Sequence, residues 1–123
     1  MISLVLLDSN LNGRRIMIKS LIQICNTEYE IRVVSPKTIK RIYGWGRTDD
    51  ELEGFTDFDN QRIYLNNNLH PHRLGITLVH EALHIIADQS GDTDVNLQES
   101  YVRMLEHGVY ELINNFPEEF NGE

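Results

Sequence analysis

A chain of 123 residues, 41% hydrophobic and 24% charged, has the composition of an ordinary globular protein and the length for one modest core over residues 1–123. Its formal charge of −8 and pI near 5.0 exclude a surface that tracks nucleic-acid phosphates or an anionic membrane. One cysteine, Cys25, allows no internal disulfide; set in an apolar segment, it reads as a buried thiol in a reducing cytoplasm.

The apolar run 2–7 lacks a basic flank and is too short to cross a bilayer, so it predicts a strand. The next segment carries two patterns. Asn12-Gly13 is a hairpin signal that would pair this strand with residues 14–18, whereas Met17, Ile18, Leu21, Ile22 and Cys25 form a helical stripe over 14–25. The balance falls on helix. Residues 28–34 alternate in a β-rich composition and predict a strand. Ser35-Pro36 reads as an N-cap followed by proline at the first helical position, with a short helix from Lys37 to Tyr43 that Gly44-Trp45-Gly46 ends. Trp45 is expected in the core.

Residues 52–58 and 61–65 predict a hairpin around Asp59-Asn60, broken by Asn66-Asn67-Asn68. Pro71 then opens a long helix that ends at Ser90-Gly91, where glycine takes the left-handed cap at no steric cost. A last helix over 97–114 carries Val102, Leu105, Val109 and Leu112 as its apolar stripe, and Phe116-Pro117 stops it before an acidic tail. No repeat or interdomain linker interrupts the chain.

The long helix contains His80-Glu81-Ala82-Leu83-His84. Residues four apart share a helix face, so the imidazoles of His80 and His84 can converge on one zinc ion. Glu81, turned about 100° from His80, is displaced from that point and suits a general base acting on water. Ile76, Val79, Leu83 and Ile86 make an apolar stripe that would bury the helix and leave both histidines on its flank. Two core histidines bonded to carbonyls would give the same spacing; the helical context favours the metal.

A catalytic zinc needs a third protein ligand. Asp88 shares the face of His80 and His84, but a rise of about 1.5 Å per residue carries it too far along a straight helix, so it falls to a supporting role or the helix end. Glu99 stands three residues before Val102 on the inward stripe of the last helix, where a charge needs a partner. Asn96-Leu97-Gln98-Glu99 also fits a capping box, with Glu99 bonding back to Asn96; the ligand reading is preferred. Glu106 is the runner-up ligand, and it or His107 could stand behind a ligand instead. Tyr101, Arg103, His107 and Tyr110 are the candidates for stabilising charge on a reacting carbonyl, with none singled out. His70 and His72, beside Pro71, need no function.

The ordered set formed by Glu53-Gly54-Phe55-Thr56-Asp57, Arg62-Ile63-Tyr64-Leu65, Leu78-Val79-His80-Glu81-Ala82-Leu83-His84 and residues 99–110 resembles the zincin-type metallopeptidases, and within them the small gluzincins with ImmA/IrrE-like and phage-encoded members. The resemblance covers residues 50–115; the first 45 residues match nothing in it. It implies an α+β, zincin-like fold: a small mixed sheet packed on the metal helix, zinc held by His80, His84 and Glu99, and Glu81 as general base. It also implies an extended protein or peptide substrate lying along the strand near Arg62 to Leu65. Such enzymes commonly place a carboxylate four residues after the ligand glutamate to orient the first histidine, and this chain has Arg103 there. Two readings follow. One is a zinc-dependent peptidase; the other is a weak or inactive zinc-binding module for protein interaction, with the metal serving as a staple.

Overall fold

The computed structural model describes residues 4–7, 16–19, 21–44 and 52–115, with the first two segments described by backbone alone. Strands β1 (Leu4–Leu7) and β2 (Ile16–Lys19) pair antiparallel, with Leu4 opposite Lys19 and Leu7 opposite Ile16. Strand β3 (Leu21–Ile24) follows and pairs antiparallel with β4 (Thr27–Val34). The helix expected over 14–25 is therefore absent. A two-residue turn explains this: Cys25 and Asn26 have φ of 51° and 65°, the paired left-handed conformation of a tight hairpin, which asparagine tolerates. The same turn exposes Cys25, which is not the buried thiol its apolar neighbours suggest. Trp45 and the acidic tail lie outside the described residues.

Helix α1 (Pro36–Tyr43) begins as its sequence dictates. The Ser35 hydroxyl accepts from Thr38 N–H at 3.2 Å, and Gly44 ends the helix at φ 125°. Strands β5 (Gly54–Asp57) and β6 (Arg62–Asn66) make the expected hairpin, its turn held by Asp57, which accepts from the Asn60 backbone at 3.2 Å and side chain at 2.9 Å. Strand β6 also runs parallel to β4, giving a mixed sheet of order β3-β4-β6-β5.

Strand β6 is thus paired along both edges and cannot take an added strand; the sheet edge on this side belongs to β5. It is covered on both faces as well, with Ile63, Tyr64, Leu65 and Asn66 all buried. One face of the sheet joins Tyr29, Ile31, Ile63 and Leu65 to Leu74 and Ile85 of helix α2 (Pro71–Gln89). On the other, Phe55 stacks on Tyr64 with ring centroids 4.9 Å apart and meets Tyr43 of α1 edge-on. Asn66 closes the strand: its amide donates to Leu52 O and its Oδ1 accepts from Asn68 N–H, which sets the chain up for Pro71.

Helix α3 (Val95–Asn115) packs against α2. Its N-cap acceptor is Asp94, whose Oδ1 takes the Leu97 N–H at 3.2 Å; Asn96 is inside the helix and the Asn96–Glu99 capping box does not form. Both apolar stripes read from the sequence hold only in part. Ile76 and Val102 are buried, but Ile86, Leu105 and Leu112 are exposed, and the buried positions also include Thr77, Glu81, Gln98 and Glu106. Polar pairs stand beside Val102 in the contact between these helices, so apolar residues alone do not mark it. Among the described residues no helix is long and apolar enough to cross a membrane.

Strand β5 approaches α2 closely because residue 54 is glycine. A Cβ there would come within 2.6 Å of the Tyr64 carbonyl oxygen and 3.1 Å of the Thr77 methyl. Gly54→Ala should lower stability by about 1–3 kcal/mol, measured by urea unfolding, since backbone has to shift to admit the methyl. Next to it, Arg73 of α2 grips Glu53 with two bonds of 2.7 and 2.6 Å and holds its carboxyl below the usual carboxylate range. A lowered folded pKa stabilises above the unfolded value near 4.3 and is lost as pH falls through the folded one. Arg73→Gln should therefore lower the urea midpoint at pH 7, with the gap to the parent protein closing as the medium is acidified. Both side chains are more than a third exposed, so the effect should stay below about 1 kcal/mol.

Candidate metal centre

His80 and His84 sit one turn apart on α2 and face α3, where Glu99 lies opposite both. His80 Nε2 is 3.3 Å from Glu99 Oε1, and His84 Nε2 is 3.0 Å from Glu99 Oε2. One ligand atom from each of the three residues falls within 4.8 Å of the others. Bonds of 2.0–2.2 Å in a tetrahedral site put neighbouring ligand atoms about 3.3–3.6 Å apart, so the spacing needs little adjustment to accept a cation.

The outer nitrogens of both rings are also engaged. His80 Nδ1 lies 2.7 Å from Glu106 Oε2, and His84 Nδ1 lies 2.9 Å from Gln98 Oε1. Gln98 cannot present its nitrogen there, because its amide donates to the Asp92 carbonyl. Both Nδ1 atoms therefore donate, and both Nε2 lone pairs are left for the side where Glu99 waits. A ring with an acceptor at each nitrogen is satisfied by a second proton or by a metal cation on one side. This donor set fits a divalent metal such as zinc, and His80, His84 and Glu99 could hold it.

Glu81 reaches toward β5. Thr56 Oγ1 donates to its Oε1 at 2.8 Å, and burial raises its pKa against the lowering effect of that bond. The carboxyl lines a cavity of about 220 Å³ together with His80, Thr77 and Arg73 from α2, Leu52, Glu53 and Gly54 from the start of β5, and Arg103 and Glu106 from α3. Glu81 and His80 thus border the same cavity.

Residues 27–107 match the family model of the IrrE N-terminal-like domain, peptidase family M78. The chain belongs to this family. No curated protein and no solved structure matches it. The IrrE N-terminal-like match begins at the first residue of β4 and ends at His107 in α3, so it reaches further toward the N-terminus than the resemblance carried by residues 50–115. Membership makes the chain a metallopeptidase-like domain, and its α+β architecture with a mixed sheet against the metal helix is the small zincin-like one the sequence implies.

The other residues singled out in the sequence scatter. Asp88 is exposed at the end of α2, and His70 caps that helix by position without a side-chain bond. His72 meets the Tyr110 ring edge-on. Glu106 stands behind His80 instead of in the ligand set, only 5% exposed. It takes the place of the carboxylate missing at position 103. Sequence reasoning overlooked Gln98 and Thr56. Gln98 is four residues before Val102, in the same helical row as Glu106, and that row would have found it. For Thr56 the only signal is that alternation in β5 puts it on the face of Gly54.

If Glu106 orients His80, Glu106→Ala should weaken zinc binding by about 10–100-fold with the fold intact, measured by competition with a chromophoric chelator. Gln98→Ala should act in the same direction through His84. An unchanged zinc affinity in both would show that these bonds do not set the rings.

Proposed function

We propose that this domain is a zinc-dependent peptidase that hydrolyses peptide bonds in a protein or peptide, with His80, His84 and Glu99 as ligands and Glu81 as general base. The observation that carries the reading is the arrangement on α2: ligand atoms of His80 and His84 come together with Glu99, while the adjacent Glu81 carboxyl borders the cavity that His80 also lines. When bound, zinc supplies Lewis acidity, lowering the pKa of water toward about 7 and drawing charge from a carbonyl oxygen. Thr56 fixes Oε1 of Glu81, so the proton taken from the attacking water is carried on Oε2 and returned to the leaving amine. Glu106 and Gln98 hold the rings so that neither ligand swings away as charge moves.

The substrate lies along β5. Asn66 N–H bonds to Glu53 O, and in an antiparallel pair the bonded residues alternate, so residues 53, 55 and 57 face β6 while the backbone N–H and C=O of Gly54 and Thr56 face outward. An extended peptide added there runs past the cavity and past Glu81. This moves the substrate strand from β6, which the sequence suggested, to β5. The alternative is a zinc-binding interaction module, and Arg103 at the position where a carboxylate is common is the feature that favours it.

Glu81→Gln decides between them. The variant should keep stoichiometric zinc by elemental analysis and lose cleavage of a mixed peptide pool, followed by mass spectrometry, by about 10²–10⁴-fold. Equal cleavage by both proteins would remove Glu81 from the mechanism, and a zinc-loaded parent that cleaves nothing would leave the binding module.

A further inference from the structure

The four residues that could steady charge on a reacting carbonyl separate cleanly in space. The Tyr101 hydroxyl donates to Asp92 Oδ2 at 3.0 Å, and Tyr110 packs on His72 two turns before the metal ligands. His107 lies 3.9 Å from Glu106 and, like the two tyrosines, is not among the residues that line the cavity. Arg103 alone of the four lines the cavity with His80 and Glu81. Its Nε forms an ion pair with Glu99 Oε1 at 3.1 Å, and four of the five guanidinium N–H groups are on the terminal nitrogens.

Charge sharpens this assignment. Glu99 stands between Arg103 and both histidines. A divalent cation held by two neutral imidazoles and one carboxylate keeps a net positive charge, and it claims the carboxylate that Arg103 otherwise holds. Two positive groups then border the same cavity and repel one another unless an oxygen bearing negative charge enters between them. Of the carboxylates lining the cavity, Glu53 is gripped by Arg73, Glu106 is bonded to His80 and Glu81 accepts from Thr56.

The geometry points to Arg103 as a substrate-binding residue that donates from its terminal nitrogens to a backbone carbonyl oxygen of the peptide, and to the carboxylate that replaces it after cleavage. The inference rests on the peptidase reading for its substrate class. It gives a function to the arginine that departs from the usual carboxylate, whose orienting role Glu106 has taken.

The test uses zinc-loaded parent protein, Arg103→Ala and Arg103→Lys, titrated by NMR with N-acetyl-dialanine and with its C-terminal amide. The parent should prefer the acid, and Arg103→Ala should bind the acid about tenfold more weakly with the amide less affected, as expected for loss of a hydrogen bond to a charged group. Arg103→Lys should recover part of the loss, since it restores the charge without the planar fork. Equal affinity of all three proteins for the acid overturns the inference. So does a fall in zinc affinity with peptide affinity unchanged, which would make Arg103 a tether for Glu99 only. Cleavage of the peptide pool separates the two proposals: an active parent whose kcat/KM is indifferent to Arg103→Ala sinks the role of Arg103 alone. An inactive parent that still binds the acid through Arg103 sinks the peptidase and leaves Arg103 as a carboxylate-binding residue.

Discussion

The seam between α2 and α3 is the constraint on which the site depends. Two helices that pack with an apolar stripe can slide or rotate by small amounts at little cost. Here the contact includes directed bonds, His84 to Gln98 and His80 to Glu106, with Glu99 set opposite both rings. As the position on α3 rises, its partner on α2 falls, so the helices run antiparallel and each bond sets the register of the next. Buried polar groups have to find partners or lose their hydration uncompensated, and Glu106 and Gln98, both nearly inaccessible, find them only in this register.

That seam also explains what could and could not be read from the sequence. Strand β4, the capped start of α1, the β5–β6 hairpin and both ends of α2 carry local signals: alternation, Ser-Pro, Asp-Asn and Pro or Gly at a terminus. The structure has them close to where those signals lie. The rows facing each other across α2 and α3 carry the expected signal only in part. Periodicity assumes that buried means apolar, and in α3 the buried row is Gln98, Val102 and Glu106, while Leu97, Met104, Leu105 and Leu112 are exposed. The placing of His80 and His84 on one face was legible because spacing on one helix is a local property. Their supporting groups were not, because Gln98 and Thr56 gain meaning only from elements that are distant in sequence. Residues 14–25 failed for a different reason: a turn built on Cys25-Asn26 has the conformation of a hairpin loop without the asparagine-glycine pair that announces one.

The sheet imposes a second constraint, on where a ligand can approach. Placing β6 between β4 and β5 uses up both of its edges and buries it from above and below, which makes it the rigid floor from which Asn66 leads toward α2. Among the described residues, the strand edge next to the site then belongs to β5. Gly54 allows that strand to lie against Thr77, and the closeness lets Thr56 reach Glu81 across from a different layer. Glu81 is thereby tied to β5, so a shift of that strand is felt at its carboxyl directly.

One helical row holds the remaining logic. Counting from Glu99, positions four and seven residues on fall within about 40° of it around α3, so Arg103 and Glu106 share its face one and two turns further along. Either position can approach His80, and only one has to carry the carboxylate that steadies Nδ1. With Glu106 in that role, deeper in the seam and almost fully buried, the nearer position is released toward the cavity and can bear the opposite charge. An arginine would be intolerable if it had to replace the orienting carboxylate. Set between Glu99 and Glu106, it is instead flanked by negative charge on its own helix, and its exposed end is available to whatever the metal side of the cavity attracts.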